Sequence, residues 1–115
     1  MADAVWKATA VNSDYFNNSN WVANMPPDKN GTAFFNSSNF TELSISLGSS
    51  GSEVGGWTFN IGTNYTVTLS GGPHLFNFTT SGIVNLGGNV KVVIDRLNSI
   101  IAALRVTPAS ATTIS

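Results

Sequence analysis

The chain has 115 residues and a formal net charge of −1, with only 10% charged residues and no cysteine. The lack of cysteine excludes disulfides, thiolate metal sites and cysteine nucleophiles. The five lysine and arginine residues are scattered, so the sequence has no basic patch for nucleic acid and no polybasic membrane anchor. No apolar run approaches the roughly 18 residues of a transmembrane helix, and the length fits a single domain.

Residues 1–32 are predicted to form an N-terminal cap of loops and one or two short strands. The segment is rich in asparagine and ends in a turn at Asn30-Gly31, because both residue types tolerate positive φ. We expect its aromatic residues to pack on the first layer of the strands that follow and to shield the open edges of that layer. These aromatic residues are Trp6, Tyr15, Phe16 and Trp21.

Residues 33–95 contain short segments in which every second residue is apolar. Glycine, serine and asparagine lie between the segments and supply the turns. Alternation with a period of two is typical of strands with one buried face, so this region is predicted to be all-β. The alternating positions are Leu43, Ile45 and Leu47, then Trp57, Phe59 and Ile61, then Tyr65, Val67 and Leu69, and finally Val90, Val92 and Ile94.

A pseudo-repeat of about 22 residues aligns Leu43 with Tyr65, and a period of this size is that of one coil of a right-handed parallel β-solenoid (β-helix). With two or three short strands in each coil, residues 33–95 would supply about three coils. Leucine-rich repeats have a similar period, but their sequence pattern is absent. The predicted solenoid core consists of Leu43, Ile45, Leu47, Trp57, Phe59, Val67, Leu69, Phe78 and Ile83.

The tail, residues 96–115, has a different spacing of apolar residues from the strands before it. Its apolar residues fall at i, i+3, i+4 and i+7, which favours a short amphipathic C-terminal helix, with Asp95 as its N-cap and Pro108 beyond its end. The alternative is an irregular pair of strands, because several of these residues are β-branched. The helical positions are Leu97, Ile100, Ile101 and Leu104.

The layout resembles the start of the passenger region in bacterial autotransporter-type proteins that carry autotransporter-associated β-strand repeats. The resemblance covers roughly residues 5–88. The segments that carry it are Trp6, the FNNSNW run of residues 16–21, Pro27, the GTAFF run of residues 31–35, the LSISL run of residues 43–47, the GGWTFNIG run of residues 55–62, the YTVTL run of residues 65–69 and the SGIVN run of residues 81–85.

The resemblance implies a right-handed parallel β-helix, export across both membranes of a Gram-negative cell, and a role at the cell surface, at the outer membrane or as a secreted protein. It implies no catalytic residues. The opening residues, MADAVWKATAV, lack the basic region and apolar run of a signal peptide. Two interpretations follow: the protein stays inside the cell, or this chain is a piece of a longer exported protein, in which case we expect surface localisation or secretion.

No catalytic constellation is evident in the sequence. The single histidine, His74, follows a Gly-Gly-Pro turn and has no serine or acidic partner in a known catalytic order. A glycosidase needs two carboxylates at a set separation across a groove. Here each acid stands alone, so we interpret them as solvated turn residues. They are Asp3, Asp14, Asp28, Glu42, Glu53 and Asp95.

Two further patterns have a functional and a structural interpretation. The oxygen-rich run Asn12-Ser13-Asp14, with Asn17 and Asn18, is a candidate calcium site, but it holds a single charge. Six Asn-x-Ser/Thr motifs would indicate glycosylation in a secreted eukaryotic protein. In a chain so rich in these residues, chance accounts for most of the motifs. They begin at Asn17, Asn30, Asn36, Asn39, Asn64 and Asn77.

The tryptophans could form a platform for sugar rings, but aromatic residues more often pack in a core. We assign Trp57 to the core, and Trp6 and Trp21 to the cap. The resulting prediction is a non-enzymatic structural or adhesive module with no cofactor and no nucleic-acid partner. Cell-surface or glycan contacts and edge-to-edge self-association are its expected interactions.

Two alternatives remain open at this point. One is a carbohydrate-binding β-sandwich or jelly roll, which is also rich in short strands and aromatic residues. The other is a polysaccharide-active β-helix enzyme, which would need acids clustered in a groove. Strand pairing separates the first alternative from the solenoid, because sandwiches pair their strands antiparallel.

Overall fold

The computed structural model describes residues 3–47, 52–60, 62–70, 74–94, 99–102, 106–107 and 112–114. Within these ranges the chain is mostly β, as predicted, and the helical pieces are two short 3-10 turns, Asn18–Asn20 and Val22–Asn24. None of the described helices is long and apolar enough to cross a membrane. The strands are β1 (Ala4–Val5), β2 (Thr32–Phe35), β3 (Glu42–Ser46), β4 (Ser52–Phe59), β5 (Asn64–Ser70), β6 (His74–Asn85), β7 (Asn89–Ile94), β8 (Ser99–Ala102), β9 (Val106–Thr107) and β10 (Thr112–Ile114).

The strands form two sheets, and the chain alternates between them from β2 to β7. The first sheet has the order β1-β2-β4-β6-β8, with β9 also paired to β6, and the second sheet has the order β3-β5-β7-β10. Every pair of named strands runs parallel. The chain crosses to the other sheet after each of these strands, so every second strand is a neighbour. Thus β2 lies beside β4 and β4 beside β6, while β3 lies beside β5 and β5 beside β7.

The register in the second sheet corrects the predicted repeat. Leu43 lies opposite Val67, and Val67 lies opposite Val92. The predicted alignment of Leu43 with Tyr65 is therefore wrong by two positions. Side chains alternate with a period of two, so a shift by two positions keeps the same faces buried and leaves the apolar pattern unchanged.

The core lies between the two sheets. All nine side chains predicted for it are buried, with at most 2% of their surface exposed. The first sheet contributes aromatic rings, among which Phe35 and Phe59 stack with centroids 4.8 Å apart and planes 14° from parallel. The second sheet contributes aliphatic side chains and one aromatic ring, that of Tyr65.

The first sheet contains an irregularity between β4 and β6. Val54 lies opposite Phe78, whereas Gly56 lies opposite Gly82, so the segment 79–81 faces the single residue Gly55. This bulge lies within β6, a single strand of 12 residues. The runs HLFNFT and SGIVN, which look like separate strands in the sequence, are the two halves of that strand.

Gly55 is required at the bulge by the close approach of another part of the chain. Its N–H donates to the carbonyl oxygen of Gly31 at 2.7 Å. A Cβ atom on Gly55 would lie 2.6 Å from the carbonyl oxygens of both Asn30 and Gly31. The Asn30-Gly31 turn predicted from the sequence therefore packs directly on the first sheet.

The N-terminal segment covers the end of the two sheets that is formed by β1 and β3, here called the lower end. In the first sheet, the Trp6 N–H donates to the Phe34 carbonyl at 3.0 Å. In the second sheet, the Ser44 N–H donates to the Ser13 carbonyl at 2.8 Å. This arrangement is the cap expected from the sequence, although Phe16 differs from the other aromatic residues because 38% of it is exposed.

The predicted C-terminal helix is wrong where the structure describes the tail. Residues Ser99–Ala102 form β8, which pairs in parallel with β6. The opposite edge of β6 offers backbone hydrogen bonds, and the β-branched Ile100 and Ile101 suit a strand better than a helix. Pairing with β6 thus overrides the helical spacing of the apolar residues. At Ser99–Ala102 the tail is a strand, as in the alternative considered from the sequence. The predicted N-cap, Asp95, lies outside the described residues.

Candidate functional site

The acidic residues with a stated hydrogen bond serve the fold. In the described ranges, no three histidine, aspartate or glutamate side chains are placed to hold a metal ion. Instead, Asp3 accepts the Thr32 N–H at 2.9 Å, and Glu53 accepts the side-chain amide of Asn77 at 3.1 Å. His74 is the first residue of β6, and its side chain lies outside the part of the chain that is described.

The oxygen-rich loop considered for calcium uses its oxygens to hold its own backbone. The Asn12 Oδ1 atom accepts the Asp14 N–H at 3.0 Å, the Asp14 Oδ1 atom accepts the Phe16 N–H at 3.0 Å, and the Asn17 Oδ1 atom accepts the Ser19 N–H at 2.9 Å. These are side-chain turns of the kind that asparagine and aspartate form with the backbone two residues ahead. These oxygens therefore stabilise the backbone of the loop.

A buried asparagine, Asn20, organises this loop. Its Oδ1 atom accepts the N–H groups of Val11 and Asn12, and its Nδ2 atom donates to the Asn12 Oδ1 atom at 2.7 Å and to the Asp14 carbonyl at 2.8 Å. Asn20 is fully buried, and a buried polar group is tolerated when its hydrogen bonds are made. An amide donor directed at the Asn12 oxygen also has the wrong polarity for a cation.

The three tryptophans are buried and so offer no open platform to a sugar. Trp6, Trp21 and Trp57 each expose at most 1% of their surface. Their indole N–H groups are also used: Trp6 donates to the Phe40 carbonyl at 3.0 Å, Trp21 to the Tyr15 carbonyl at 2.7 Å, and Trp57 to the Tyr15 hydroxyl at 3.4 Å. Their assignment to the core and the cap is confirmed.

The two tyrosines are held in their neutral form. Burial raises the pKa of Tyr15 far above its ordinary value, and the hydrogen bond from Trp57 opposes this only in part. Burial likewise raises the pKa of Tyr65 to about 12, and a hydrogen bond with Ser38 opposes it. The Tyr65 hydroxyl donates to the Asn36 carbonyl. Neither phenol is tuned towards neutral pH, where acid–base catalysis needs a pKa.

The six asparagines of the glycosylation motifs all take part in structural hydrogen bonds. For example, the Asn64 Oδ1 atom accepts the Asn89 N–H at 3.0 Å, and Asn39 both accepts from the Ala10 N–H and donates to its carbonyl. Five of the six connect different passes of the chain, whereas the bond of Asn17 with the Ser19 N–H is local, so the repeated asparagines have a role in the fold itself. The other four bonded residues are Asn17, Asn30, Asn36 and Asn77.

Another buried asparagine, Asn85, was not identified from the sequence. Its Oδ1 atom accepts the N–H groups of Gly87 and Gly88, and its Nδ2 atom donates to the Gly88 carbonyl at 2.8 Å. It thereby closes the turn that leads from β6 to β7. Asparagine and glycine are turn residues, but Leu86 separates Asn85 from Gly87-Gly88, and the apolar run before it makes the position look like a strand end.

The outer face of the second sheet carries polar side chains. The register aligns Glu42, Thr66 and Lys91 in one row across three strands. A shallow groove of about 290 Å³ lies on this face, and its lining offers hydroxyls, amides and one ammonium group, with no carboxylate or imidazole. It is lined by Asn64, Tyr65, Thr66, Asn89, Val90, Lys91 and Thr113. The groove can accept hydrogen bonds from, and donate them to, a polar ligand, but its lining holds no nucleophile–base pair.

Comparisons of this chain with models of protein families, with curated proteins and with solved structures each find no match.

Proposed function

We propose that this chain is the capped first portion of a right-handed β-solenoid that serves as a non-enzymatic stalk or adhesive spacer of an exported bacterial surface protein. The observation that carries the proposal is the strand order. From β2 to β7 the chain alternates between the two sheets, and every strand pairs in parallel with the strand from the next pass. Stacking of this kind extends in one direction and needs no central catalytic cavity.

The right-handed sense follows from a general rule of chain connection. Two parallel strands of one sheet that are joined by a crossover are connected in a right-handed sense in about 98% of cases. The paths from β2 to β4 and from β3 to β5 are crossovers of this type, because each visits the other sheet on the way. The same sense is implied by the resemblance to autotransporter passengers, which also supports export and a surface role.

Parallel pairing argues against the carbohydrate-binding sandwich, whose strands pair antiparallel. Between described residues, the antiparallel contact is an isolated bridge between Trp6 and Trp21. Each described carboxylate with a stated partner, Asp3, Asp14 and Glu53, bonds to the chain's own backbone or amide groups, which favours a structural role over a polysaccharide-active enzyme. A non-enzymatic stalk is therefore the function that the geometry supports best.

Labelling of intact cells tests the exported role. Antibodies raised against the purified chain would be applied to cells of the source organism before and after permeabilisation. We expect the signal on intact cells to equal that on permeabilised cells, while a cytoplasmic marker stains permeabilised cells alone. A signal that appears only after permeabilisation would overturn export and leave the parallel two-sheet fold unaffected.

A further inference from the structure

The turn that packs on the first sheet contains a chemically labile pair of residues. Asn30 is the one asparagine in the sequence that is followed directly by glycine. Asparagine is among the less durable side chains of proteins, because the backbone nitrogen of the next residue can attack its Cγ atom. Glycine has no Cβ atom to hinder that approach, so Asn30-Gly31 is the pair in this chain at which the reaction is least obstructed.

The reaction needs no partner other than water. The Gly31 nitrogen loses its proton and forms a bond to the Cγ atom of Asn30, and the bond from Cγ to Nδ2 breaks, so that ammonia leaves with that proton. The product is a succinimide ring. Water then adds to one of the two ring carbonyls and opens the ring, which gives aspartate or isoaspartate and one new carboxylate.

In the folded chain, hydrogen bonds hold the attacking residue. The Gly31 N–H donates to the Asp28 carbonyl at 3.1 Å, and the Gly31 carbonyl accepts the Gly55 N–H at 2.7 Å. Gly31 is buried, whereas the side chain of Asn30 is exposed. To attack, the Gly31 nitrogen must give up its proton and turn towards the Asn30 side chain, and this requires the paired backbone groups to separate.

The strand β6 holds the same turn through a side chain. The Thr79 hydroxyl donates to the Lys29 carbonyl at 2.6 Å and lies 3.1 Å from the Asn30 Oδ1 atom. Thr79 begins the segment that faces Gly55 in the bulge. The bulge therefore fixes the backbone before Asn30 through Thr79 and the backbone after it through Gly55.

We propose that Asn30 is a deamidation site that stays unreactive while its turn is docked on the bulge and reacts when the turn opens. Local opening of a loop needs less free energy than global unfolding, so the modification records openings of this turn and not of the whole fold. The inference rests on the contacts between the turn and the bulge, and it does not depend on export of the protein.

The isoaspartate product prevents the turn from docking again. In isoaspartate the chain continues through the side-chain carboxyl group, which inserts one extra carbon atom between the Cα atom of residue 30 and Gly31. The contact with the bulge is too close for a longer backbone, since even a Cβ atom on Gly55 would lie 2.6 Å from the carbonyl oxygens of Asn30 and Gly31. The modification thus makes a transient opening permanent.

Incubation of the purified chain at mildly alkaline pH tests the proposal. Mass spectrometry of proteolytic fragments detects the gain of one dalton at residue 30, and chromatography separates aspartate from isoaspartate. We expect Asn30 to react at least about tenfold faster when the same chain is unfolded in guanidinium, because the docked turn no longer protects it. Equal rates in the folded and unfolded chain would overturn the proposal.

Three variants show whether β6 guards the turn. Thr79→Val removes the hydroxyl and keeps the shape of the side chain, so we expect the folded variant to deamidate several-fold faster than the natural chain. Thr80→Val changes the exposed neighbour and should react at the natural rate. Tyr65→Phe removes a hydrogen bond to Asn36, away from the turn, and should also leave the rate unchanged.

Each variant has an outcome that contradicts the proposal. A slower reaction in Thr79→Val would show that the hydroxyl activates the Asn30 amide instead of restraining the turn. Equal rates in Thr79→Val and Thr80→Val would show that β6 does not guard the turn. A rate in Tyr65→Phe that rises as much as in Thr79→Val would show that the reaction follows global unfolding and not local opening.

Discussion

The two sheets bury different kinds of side chain, and their regularity differs accordingly. The first sheet turns large rings inwards, including those of Phe35, Trp57 and Phe59, whereas the second sheet turns inwards aliphatic side chains such as Ile45 and Leu69. The second sheet keeps an unbroken register over β3, β5 and β7. The first sheet interrupts its register with the bulge opposite Gly55.

This difference shows what each interior requires of the backbone. Aliphatic side chains of similar size stack in rows with one residue per strand, and an unbroken strand register is enough to align them. Rings prefer edge-to-face or offset contacts, and Trp57 meets Phe78 edge-to-face at a centroid distance of 4.9 Å. A bulge bends its strand and directs a side chain to a new position. The first sheet, here called the aromatic sheet, thus combines its rings with a local irregularity between β4 and β6, whereas β3, β5 and β7 of the second sheet, here called the aliphatic sheet, pair without one.

The largest expected effect comes from a charge inside the aliphatic sheet. Ile45 is fully buried, and an unpaired carboxylate at that position has no partner to offset its desolvation. We expect Ile45→Asp to abolish cooperative thermal unfolding, followed by circular dichroism. The neighbouring Ser46 is exposed, so Ser46→Asp should change the free energy of unfolding by no more than about 0.5 kcal/mol. Equal melting of the two variants would show that the alternation in β3 has the wrong register.

In the first sheet, the sharpest test of the irregularity is Gly55→Ala. The added Cβ atom would lie 2.6 Å from two backbone oxygens, and overpacking of this kind costs about 3 kcal/mol. Gly62 is the matched control, because a Cβ atom there meets no atom within 4 Å and only its φ of +78° opposes alanine. We therefore expect Gly62→Ala to cost about 1 kcal/mol. Chemical denaturation of both variants measures the difference, and the opposite ranking would remove the steric role of Gly55.

Much of the aliphatic sheet could be predicted from the sequence because its alternation is regular. The pattern identified Leu43, Ile45 and Val67 as buried, but it could not fix the offset between strands, since shifts by two positions preserve the pattern. The bulge escaped prediction for a different reason. The run Thr79-Thr80-Ser81 lacks an apolar residue and looks like a turn, and only the pairing with Gly55 reveals that the strand continues through it.

The cap and the tail show the same limit on sequence reasoning. Trp6 and Trp21 could be assigned to the cap because large rings are normally buried, whereas the hydrogen bonds of Asn20 depend on loop geometry that the sequence does not encode locally. In the tail, the spacing of Ile100 and Ile101 fits a helical stripe, and their β-branched side chains and the pairing with β6 favour the strand. Non-local pairing is therefore what the sequence leaves undetermined.

The corrected offset in the aliphatic sheet can be tested with pairs of cysteines in this cysteine-free chain. Ser44 lies opposite Thr68, and neighbouring strands are about 4.8 Å apart, which lies within the Cα separation that a disulfide accepts. We expect Ser44→Cys/Thr68→Cys to form an internal disulfide that stabilises the fold by about 2–3 kcal/mol.

The matched control for the cysteine pair follows the alignment of Leu43 with Tyr65 that the sequence predicts. Ser44→Cys/Thr66→Cys places the two Cα atoms on a diagonal, roughly 7–8 Å apart, which is too far for an unstrained disulfide. Counting free thiols by mass spectrometry after oxidation distinguishes the two variants. Preferential oxidation of the control pair would restore the predicted alignment and contradict the register of the second sheet.

The smallest effect concerns Tyr65, the aromatic ring through which the aliphatic sheet contacts the aromatic one. Its ring lies 5.3 Å from Phe35 and 5.4 Å from Phe59 between centroids, and burial raises its pKa to about 12. Because the folded-state pKa lies above the ordinary value of about 10, the stabilisation is complete below pH 10 and is lost as the pH rises from about 10 to 12. We expect the Tm of the natural chain to fall over this interval.

The variant Tyr65→Phe separates the ionisation of Tyr65 from the packing of its ring. It keeps the ring contacts and removes the hydroxyl that donates to Asn36, so its stability at neutral pH should be lower by about 1 kcal/mol. It also removes one group that resists deprotonation in the folded state, so its Tm should fall less steeply above pH 10 than that of the natural chain. Tyr15 remains in both proteins and contributes a fall of the same sign, which makes the difference between the two slopes the measured quantity. Identical slopes would mean that the Tyr65 phenol is as accessible to water as in the unfolded chain, and that the interiors of the two sheets do not close around it.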